Sequence, residues 1–235
     1  MDTLLIVIPA YNEEENIEQV AYEWHEVVTH INKESRVIII DDGSKDNTFA
    51  KLQKAKDELS QLEIIHKSNS GHGATVYYGY RLAVDKGADY VFQTDSDGQT
   101  IPSEFWQFWE ARREYDLQIG HRKGRQDGLS RVFVTKILKL VIFLQFGMWI
   151  TDANTPFRLM SAESLSRLLP SIPEDSRLTN VLLSVLYQKH EQNIRCRPIT
   201  FRPRQGGVNS INLKRIAGIG RQALKDFAAF KKAAF

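Results

Sequence analysis

Through its first half the chain alternates short apolar runs with longer stretches in which apolar positions recur every three or four residues. The runs are LLIVIP (4–9), RVIIID (36–41), LEIIH (62–66), YVFQTD (90–95) and YDLQIG (115–120). They are mostly unbroken rather than alternating, the pattern of strands whose two faces are both covered by helices. The stretches between them, 14–31, 47–60, 73–86 and 103–113, are long enough for crossover helices. Asn12, Asp46, Thr100 and Ser103 stand near their starts, where short polar side chains cap free amides. This strand–helix rhythm predicts a doubly wound α/β domain with a mostly parallel sheet.

After residue 120 the rhythm changes. GHRKGRQDGLSR (120–131) is glycine-rich and basic and predicts a loop. A helix over about 131–147 follows, then TDANTPFRLM (151–160), helices near 161–169 and 178–190, a strand over 194–203, and a helical tail from 211. A catalytic unit over 1–210 with a 211–235 tail is the expected organisation, and no repeat or linker divides the chain further.

Composition narrows the class. At 235 residues, with 42% hydrophobic and 26% charged residues, the chain is an ordinary folded protein. A net charge of +2 is too small to imply nucleic-acid binding, and none is expected. The single Cys196 rules out an internal disulfide and fits a structural thiol in a reducing compartment. TLLIVIPA (3–10) lacks a basic leader, and the most apolar stretch, LVIFLQFGMWI (140–150), is about half a membrane span. A cytoplasmic location, peripheral on the cytoplasmic face of a membrane, is the expectation.

Open α/β sheets place ligands at the carboxyl ends of their strands, and the polar clusters of this chain fall there. The first four strands run into PAYNEEENI (9–17), DDGSKDNT (41–48), HKSNSGHGAT (66–75) and TDSDGQT (94–100). In the last of these, Asp95 and Asp97 crowd two like charges at a strand end. That arrangement is costly unless a multivalent cation sits between them; otherwise it is a polar turn with Asp97-Gly98 at its tip. No GxGxxG follows the first strand and no GxxxxGK[ST] occurs, which argues against a dinucleotide fold and a P-loop. GHG (71–73) suits a phosphate at a helix start or simply a tight turn.

Taken together, IPAYNEEENI, IIIDDGSKDNT, SGHGATVYYGYRLAVDKGADYVFQTDSDGQTIP and TDANTPFRLM resemble the family-two glycosyltransferases of the GT-A fold. Within them, the resemblance is to the dolichol-phosphate mannose synthase-like branch. It covers residues 4–160 and is weaker beyond. The resemblance implies a Rossmann-like, mostly parallel sheet flanked by helices, with C-terminal amphipathic helices. It also implies that Asp95, Asp97 and Gln99, with Ser96 between the carboxylates, hold Mg²⁺ or Mn²⁺ against the diphosphate of a nucleotide-sugar. The base and ribose would then lie against Pro9, Ala10, Tyr11, Asn12, Glu13 and Asp42, with Gly73 also on the donor side. Asn12 and Glu13 suit helix capping equally well, and Asp41 and Asp42 suit a turn.

On the acceptor side the resemblance points to Arg122 and Arg131 of the basic loop as phosphate ligands, ahead of Lys123 and Arg125; a solvated charge run is the plainer reading. His121 is expected to be a loop residue. Thr155-Pro156 replaces the branch's Gly-Ser. Asp152 is placed to orient or deprotonate an acceptor, and Arg158 to bind phosphate or fix the loop. Asn209 and Ser210, in RQGGVNSIN (204–212), are candidate phosphate donors on a closing loop.

The tail carries six basic residues and one acidic residue over 211–235, with Ile216, Ile219, Ala223, Phe227 and Phe230 at helical spacing. It is expected either to lie on an anionic membrane surface or to pack on the domain; the 131–150 segment would add a second contact. The implied activity is inverting, metal-dependent transfer of a UDP- or GDP-linked sugar to a polyprenyl phosphate, and a homo-oligomer is compatible with it. A saccharide or glycolipid acceptor is the alternative, and a sugar-1-phosphate nucleotidyltransferase fits less well, because PAYNEEEN is unlike the glycine-rich run such enzymes carry.

Overall fold

The computed structural model describes residues 2–122, 129–202, 224, 226–228, 230 and 231, with side chains left out at 122 and 129–136. Arg131, Asn209, Ser210, Ile216, Ile219 and Ala223 therefore lie wholly or by their side chains outside the described residues, as does the side chain of Arg122.

The elements follow in the order β1 (Leu4–Ala10), α1 (Ile17–Thr29), β2 (Arg36–Asp41), α2 (Thr48–Lys56), β3 (Leu62–His66), α3 (His72–Asp85) and β4 (Tyr90–Gln93). A 3₁₀ turn (Pro102–Phe105) then leads into α4 (Trp106–Glu110), β5 (Leu117–Arg122), α5 (Leu129–Phe146) and β6 (Arg158–Ser161). The chain continues through α6 (Ala162–Leu168), α7 (Thr179–Lys189) and β7 (Ile194–Ile199). These strands form one sheet in the order β3-β2-β1-β4-β6-β5-β7. All neighbours are parallel except β6, which runs antiparallel to both β4 and β5.

Unbroken apolar strands have a direct consequence: successive residues feed opposite layers. Leu4, Ile6 and Ile8 of β1 join Val20, Trp24 and Val28 of α1 in one core, while Leu5 and Val7 join Val76 and Tyr80 of α3 and Val181 and Leu183 of α7 in the other. All seven residues of β1 are buried. At about 1.5–3 kcal/mol per fully buried aliphatic side chain, this central strand is what the site is built upon. Trp24 also packs on Phe92 of β4, ring centroids 5.1 Å apart, which fixes the strand that leads into Asp95.

Several expectations change. β6 is a strand that the apolar pattern does not show, because it is four residues long and begins with an arginine. The helix expected over 103–113 is the 3₁₀ turn plus the five residues of α4. His121 belongs to β5, opposite Pro198 of β7, rather than to a loop. In the tail, Phe227 and Phe230 are buried, 0% and 2% exposed, and lie edge-on to Phe146 of α5. These two rings face the domain, so of the two alternatives for the tail they follow packing on the domain rather than a membrane-facing stripe.

Candidate functional site

The loops after β1 and β2 are tied together before any ligand is considered. Asn12 takes a left-handed backbone, φ 54°, which turns its side chain back so that Oδ1 accepts from the Lys45 amide at 2.8 Å. Its own amide donates to Ser44 Oγ, and the Glu13 amide donates to Thr48 Oγ1. Asp46, not Asn12, satisfies a free amide at a helix start, accepting from Thr48 N at 3.0 Å.

The two aspartates ending β2 then hold the neighbouring loops. Asp41 is fully buried and accepts from Ser44 N and Oγ and from His66 Nδ1. Asp42 accepts from Lys67 Nζ, from Ser70 N at 2.9 Å and from Gly71 N at 2.9 Å. Burial raises the Asp42 carboxyl, but the hydrogen bonds from Lys67, Ser70 and Thr75 and the Lys67 charge outweigh it and leave it below its ordinary value. The acceptor role expected of Asp42 toward a base or ribose is thus largely taken by donors of the protein itself. A depressed carboxylate stabilises the fold above its unfolded-state pKa and loses that contribution as pH falls through its folded-state value. Asp42→Asn should cost about 2 kcal/mol near neutrality. Its thermal midpoint should converge on wild type only below about pH 4, and parallel melting profiles down to pH 3 would contradict this.

The opening residues of these loops and the turn after β4 enclose a cavity of about 400 Å³ lined by Pro9, Ala10, Tyr11, Glu13, Asp42, Asn69, Gly71, His72, Thr75, Asp95, Ser96 and Asp97. Eight of the ten residues expected on the donor side from Pro9 through Asp97 are in this lining. Asn12 is spent on the loop, and Gly73 faces away: a Cβ there would meet the Ser176 carbonyl oxygen at 2.3 Å and the Arg177 carbonyl at 2.5 Å. The Gly73 carbonyl accepts from Thr179 Oγ1. Gly73 is therefore a close-packing position between α3 and the segment entering α7. Gly73→Ala should destabilise by roughly 1–3 kcal/mol, read as an earlier thermal midpoint with nucleotide affinity unchanged at low temperature.

The turn carrying the carboxylates is clamped from outside. Gly98 takes the left-handed conformation, φ 69°, letting the Gln99 amide return to Asp97 Oδ1 at 3.1 Å. The expected ligand Gln99 is turned toward Arg202, donating to its carbonyl at 3.2 Å and accepting its amide at 2.7 Å. Arg202 in turn forks onto both carboxylate oxygens of Glu23 and donates to the Thr100 carbonyl. Gln99 thus fixes the turn, while Asp95 and Asp97 face the cavity.

Beneath the pair lies a buried polar chain. Gln93 donates to Asp95 Oδ1 at 3.2 Å, and its carbonyl accepts from Asn180 at 3.0 Å. Tyr80, kept protonated by burial, donates to Asn180 Oδ1 at 2.7 Å. The Asn180 carbonyl accepts from Arg158 at 3.1 Å. Arg158 is wholly buried and also donates to the carbonyls of Ala153 and Thr155 and to Ser184 Oγ. Burial lowers its pKa, opposed by Tyr80, Tyr187, Asp152 and Asp95. Of the two roles the sequence left for Arg158, its surroundings match fixing the loop; a phosphate cannot reach it here. That loop begins at Asp152, whose φ of 57° is left-handed and whose carbonyl accepts the Thr155 amide.

Gln93, Tyr80, Asn180 and Arg202 were not singled out from the sequence. Their partners lie up to 179 positions away, and no local pattern marks them. Lys67 lies within a cluster that was legible.

The donor set has a definite chemistry. Among the described residues no group of three or more His, Cys, Asp or Glu side chains is arranged to hold a metal ion. Two carboxylates are what a hard cation such as Mg²⁺ or Mn²⁺ takes from a protein when diphosphate and water complete its shell. His72 Nε2 lies 3.9 Å from Asp95 Oδ1 at the cavity mouth.

A three-layer α/β sheet with a carboxylate pair at the end of its fourth strand is the GT-A arrangement. Residues 5–169 match the family model for Glycosyl transferase family 2, and the chain belongs to that family. It is 27% identical over 215 residues to the UDP-N-acetylglucosamine–dolichyl-phosphate N-acetylglucosaminyltransferase of Methanococcus voltae, spanning 81% of this chain and 82% of the relative. It is also 27% identical over 218 residues to the undecaprenyl-phosphate mannosyltransferase of Micrococcus luteus, spanning 89% and 87%. The chain spans 57% of an uncharacterized glycosyltransferase of Synechocystis, to which it is 29% identical over 188 residues, 77% of this chain. Among solved structures, glucosyl-3-phosphoglycerate synthase from Mycobacterium tuberculosis, in complex with Mn²⁺ and UDP-glucose, superposes with a TM-score of 0.68. That match is at 18% identity and covers 100% of this chain and 80% of that one, a likeness of fold.

Proposed function

We propose that this protein transfers a sugar from a nucleoside diphosphate-sugar to a polyprenyl phosphate, with inversion at the anomeric carbon. The observation that carries the reading is the cavity at the carboxyl edge of the sheet, where Asp95 and Asp97 face Tyr11, Glu13 and Gly71. The names of the relatives from Methanococcus voltae and Micrococcus luteus support the acceptor class, and the Mn²⁺ and UDP-glucose of the mycobacterial synthase support the donor.

Asp95 and Asp97 would hold Mg²⁺ or Mn²⁺, which when bound screens the charge building on the departing diphosphate. The rest of the work belongs to the chain. Tyr11 is partly exposed and offers a flat surface to the base. Gln93 keeps Asp95 aimed into the cavity, and the Gly98 turn does the same for Asp97. In the transfer, the bond from the anomeric carbon to the β-phosphate oxygen breaks, the electron pair leaving with the nucleoside diphosphate. A bond from an acceptor phosphate oxygen to the same carbon forms. That oxygen is already ionised near neutral pH, so no strong general base is required; Asp152 orients the acceptor, and Arg122 and Arg131 are the proposed phosphate ligands.

Among the described residues no helix is long and apolar enough to cross a membrane, and a peripheral position on the cytoplasmic face is part of the proposal. The test is incubation with radiolabelled UDP- and GDP-sugars, a membrane lipid extract and Mn²⁺ or Mg²⁺. Label should enter an acid-labile, solvent-extractable product and should fail to do so with EDTA. Label appearing only in water-soluble or polymeric saccharide would replace the lipid acceptor with a sugar one.

A further inference from the structure

α5 is apolar on two sides. Leu138, Val141, Ile142 and Phe146 pack against the domain core. Ile137, Leu140, Phe143 and Leu144 are exposed on the other side, Leu144 by 70%. Just beyond the helix Trp149 is 64% exposed and stacks on Phe143, centroids 5.2 Å apart. A helix of a folded domain normally turns charge, not leucine, toward water, and a contiguous apolar patch of this kind marks an interaction surface.

We infer that this face of α5, with Trp149, docks on an anionic lipid surface. Charge decides the occupant. From 129 to 151 the sequence carries Arg131, Lys136 and Lys139 and no acidic residue. Lys231 of the tail is brought to the end of the same helix, donating to the Gln145 carbonyl at 2.5 Å. A second copy docked through a twofold axis would bring this basic segment, which has no acidic residue, against itself, since such an interface pairs a patch with itself. An anionic bilayer complements them while accepting the leucines and the tryptophan at its boundary. At 18 residues, three of them basic, α5 lies along the surface and does not cross it.

The placement has a functional consequence. Trp149 precedes Asp152 by three positions, and the loop from Asp152 enters β6 opposite Gln93, at the edge of the sheet that carries the carboxylate pair. A surface held by α5 therefore lies next to the acceptor side of the proposed site. The inference stands on exposure and charge, and does not require the acceptor to be a lipid.

The test is sedimentation of the full chain with vesicles of phosphatidylcholine, alone or mixed with phosphatidylglycerol, and free of polyprenyl phosphate. Wild type should sediment with the mixed vesicles and less with the neutral ones. Leu144→Glu combined with Trp149→Ser should weaken association about tenfold or more, with thermal midpoint and Mn²⁺-dependent nucleoside diphosphate binding unchanged. Equal sedimentation of variant and wild type would overturn the inference. So would a wild-type dimer, seen without lipid, that the variant converts to monomer. Transfer to a short, water-soluble isoprenyl phosphate separates the two proposals: transfer without vesicle binding removes the lipid-facing surface only, and vesicle binding without transfer removes the function only.

Discussion

Asp97→Ala should abolish sugar transfer, by at least about a thousandfold, while the thermal midpoint should stay within about 3 °C of wild type. The two halves of this result have separate causes. Asp97 is half-buried, and among the described residues its one hydrogen bond is the return of the Gln99 amide. The turn is otherwise held by Gly98, Gln99 and Arg202, so removing the carboxylate leaves its frame standing. Relief of the like charge on Asp95 offsets the lost bond. What disappears is half of the hard-oxygen pair that a cation and a diphosphate need. Turnover assays beside thermal melts check both halves. A variant that melts early yet keeps turning over would make the pair a structural turn.

Arg158→Met gives the opposite signature. The arginine is wholly buried, and its guanidinium serves the carbonyls of Ala153, Thr155 and Asn180. Methionine fills much of the volume but takes the side-chain donor from the Thr155 carbonyl and leaves the Ala153 and Asn180 carbonyls to share Ser184 Oγ, at about 1–3 kcal/mol for each acceptor left unmet. The midpoint should fall by roughly 10 °C or more, and activity should be lost through disorder of the loop that begins at Asp152. Were Arg158 an acceptor-phosphate ligand, the variant would keep its melting temperature and only raise KM for the acceptor. Melting curves together with acceptor titrations at low temperature decide between the two.

The same residue shows where reading the chain reaches its limit. In TDANTPFRLM the sequence leaves the arginine between binding phosphate and fixing the loop, since arginine is rarely buried. It is buried because α7, more than twenty positions away, supplies Asn180 and Ser184 to meet it. β6 is hidden by the same four residues: too short for a periodicity, and antiparallel in a sheet whose other members announce themselves as unbroken apolar runs. By contrast β1, β2 and the start of β4 were legible, because residues that must satisfy two cores leave few polar gaps; β3, at the sheet edge and only partly buried, was legible from its short apolar run between turn residues. The Asp95–Asp97 pair was legible for a related reason, as charge placed where a buried strand ends has few explanations. Gly73 was half legible: its glycine requirement is real, but it comes from the backbone of 176–177 and not from a ligand. The tail was left between a membrane surface and the domain, a choice its spacing could not make. Of its apolar positions, the described Phe227 and Phe230 are covered by the domain, and α5 carries an exposed apolar face whose inward and outward stripes cannot be told apart without its neighbours.

The most direct test is a crystal grown with Mn²⁺ and uridine or guanosine diphosphate, with anomalous scattering used to locate the metal. A manganese peak between Asp95 and Asp97, about 2.0–2.3 Å from their oxygens, with diphosphate oxygens completing its shell and the base toward Tyr11, is the predicted result. A nucleotide bound elsewhere, with no metal at that pair, would contradict it.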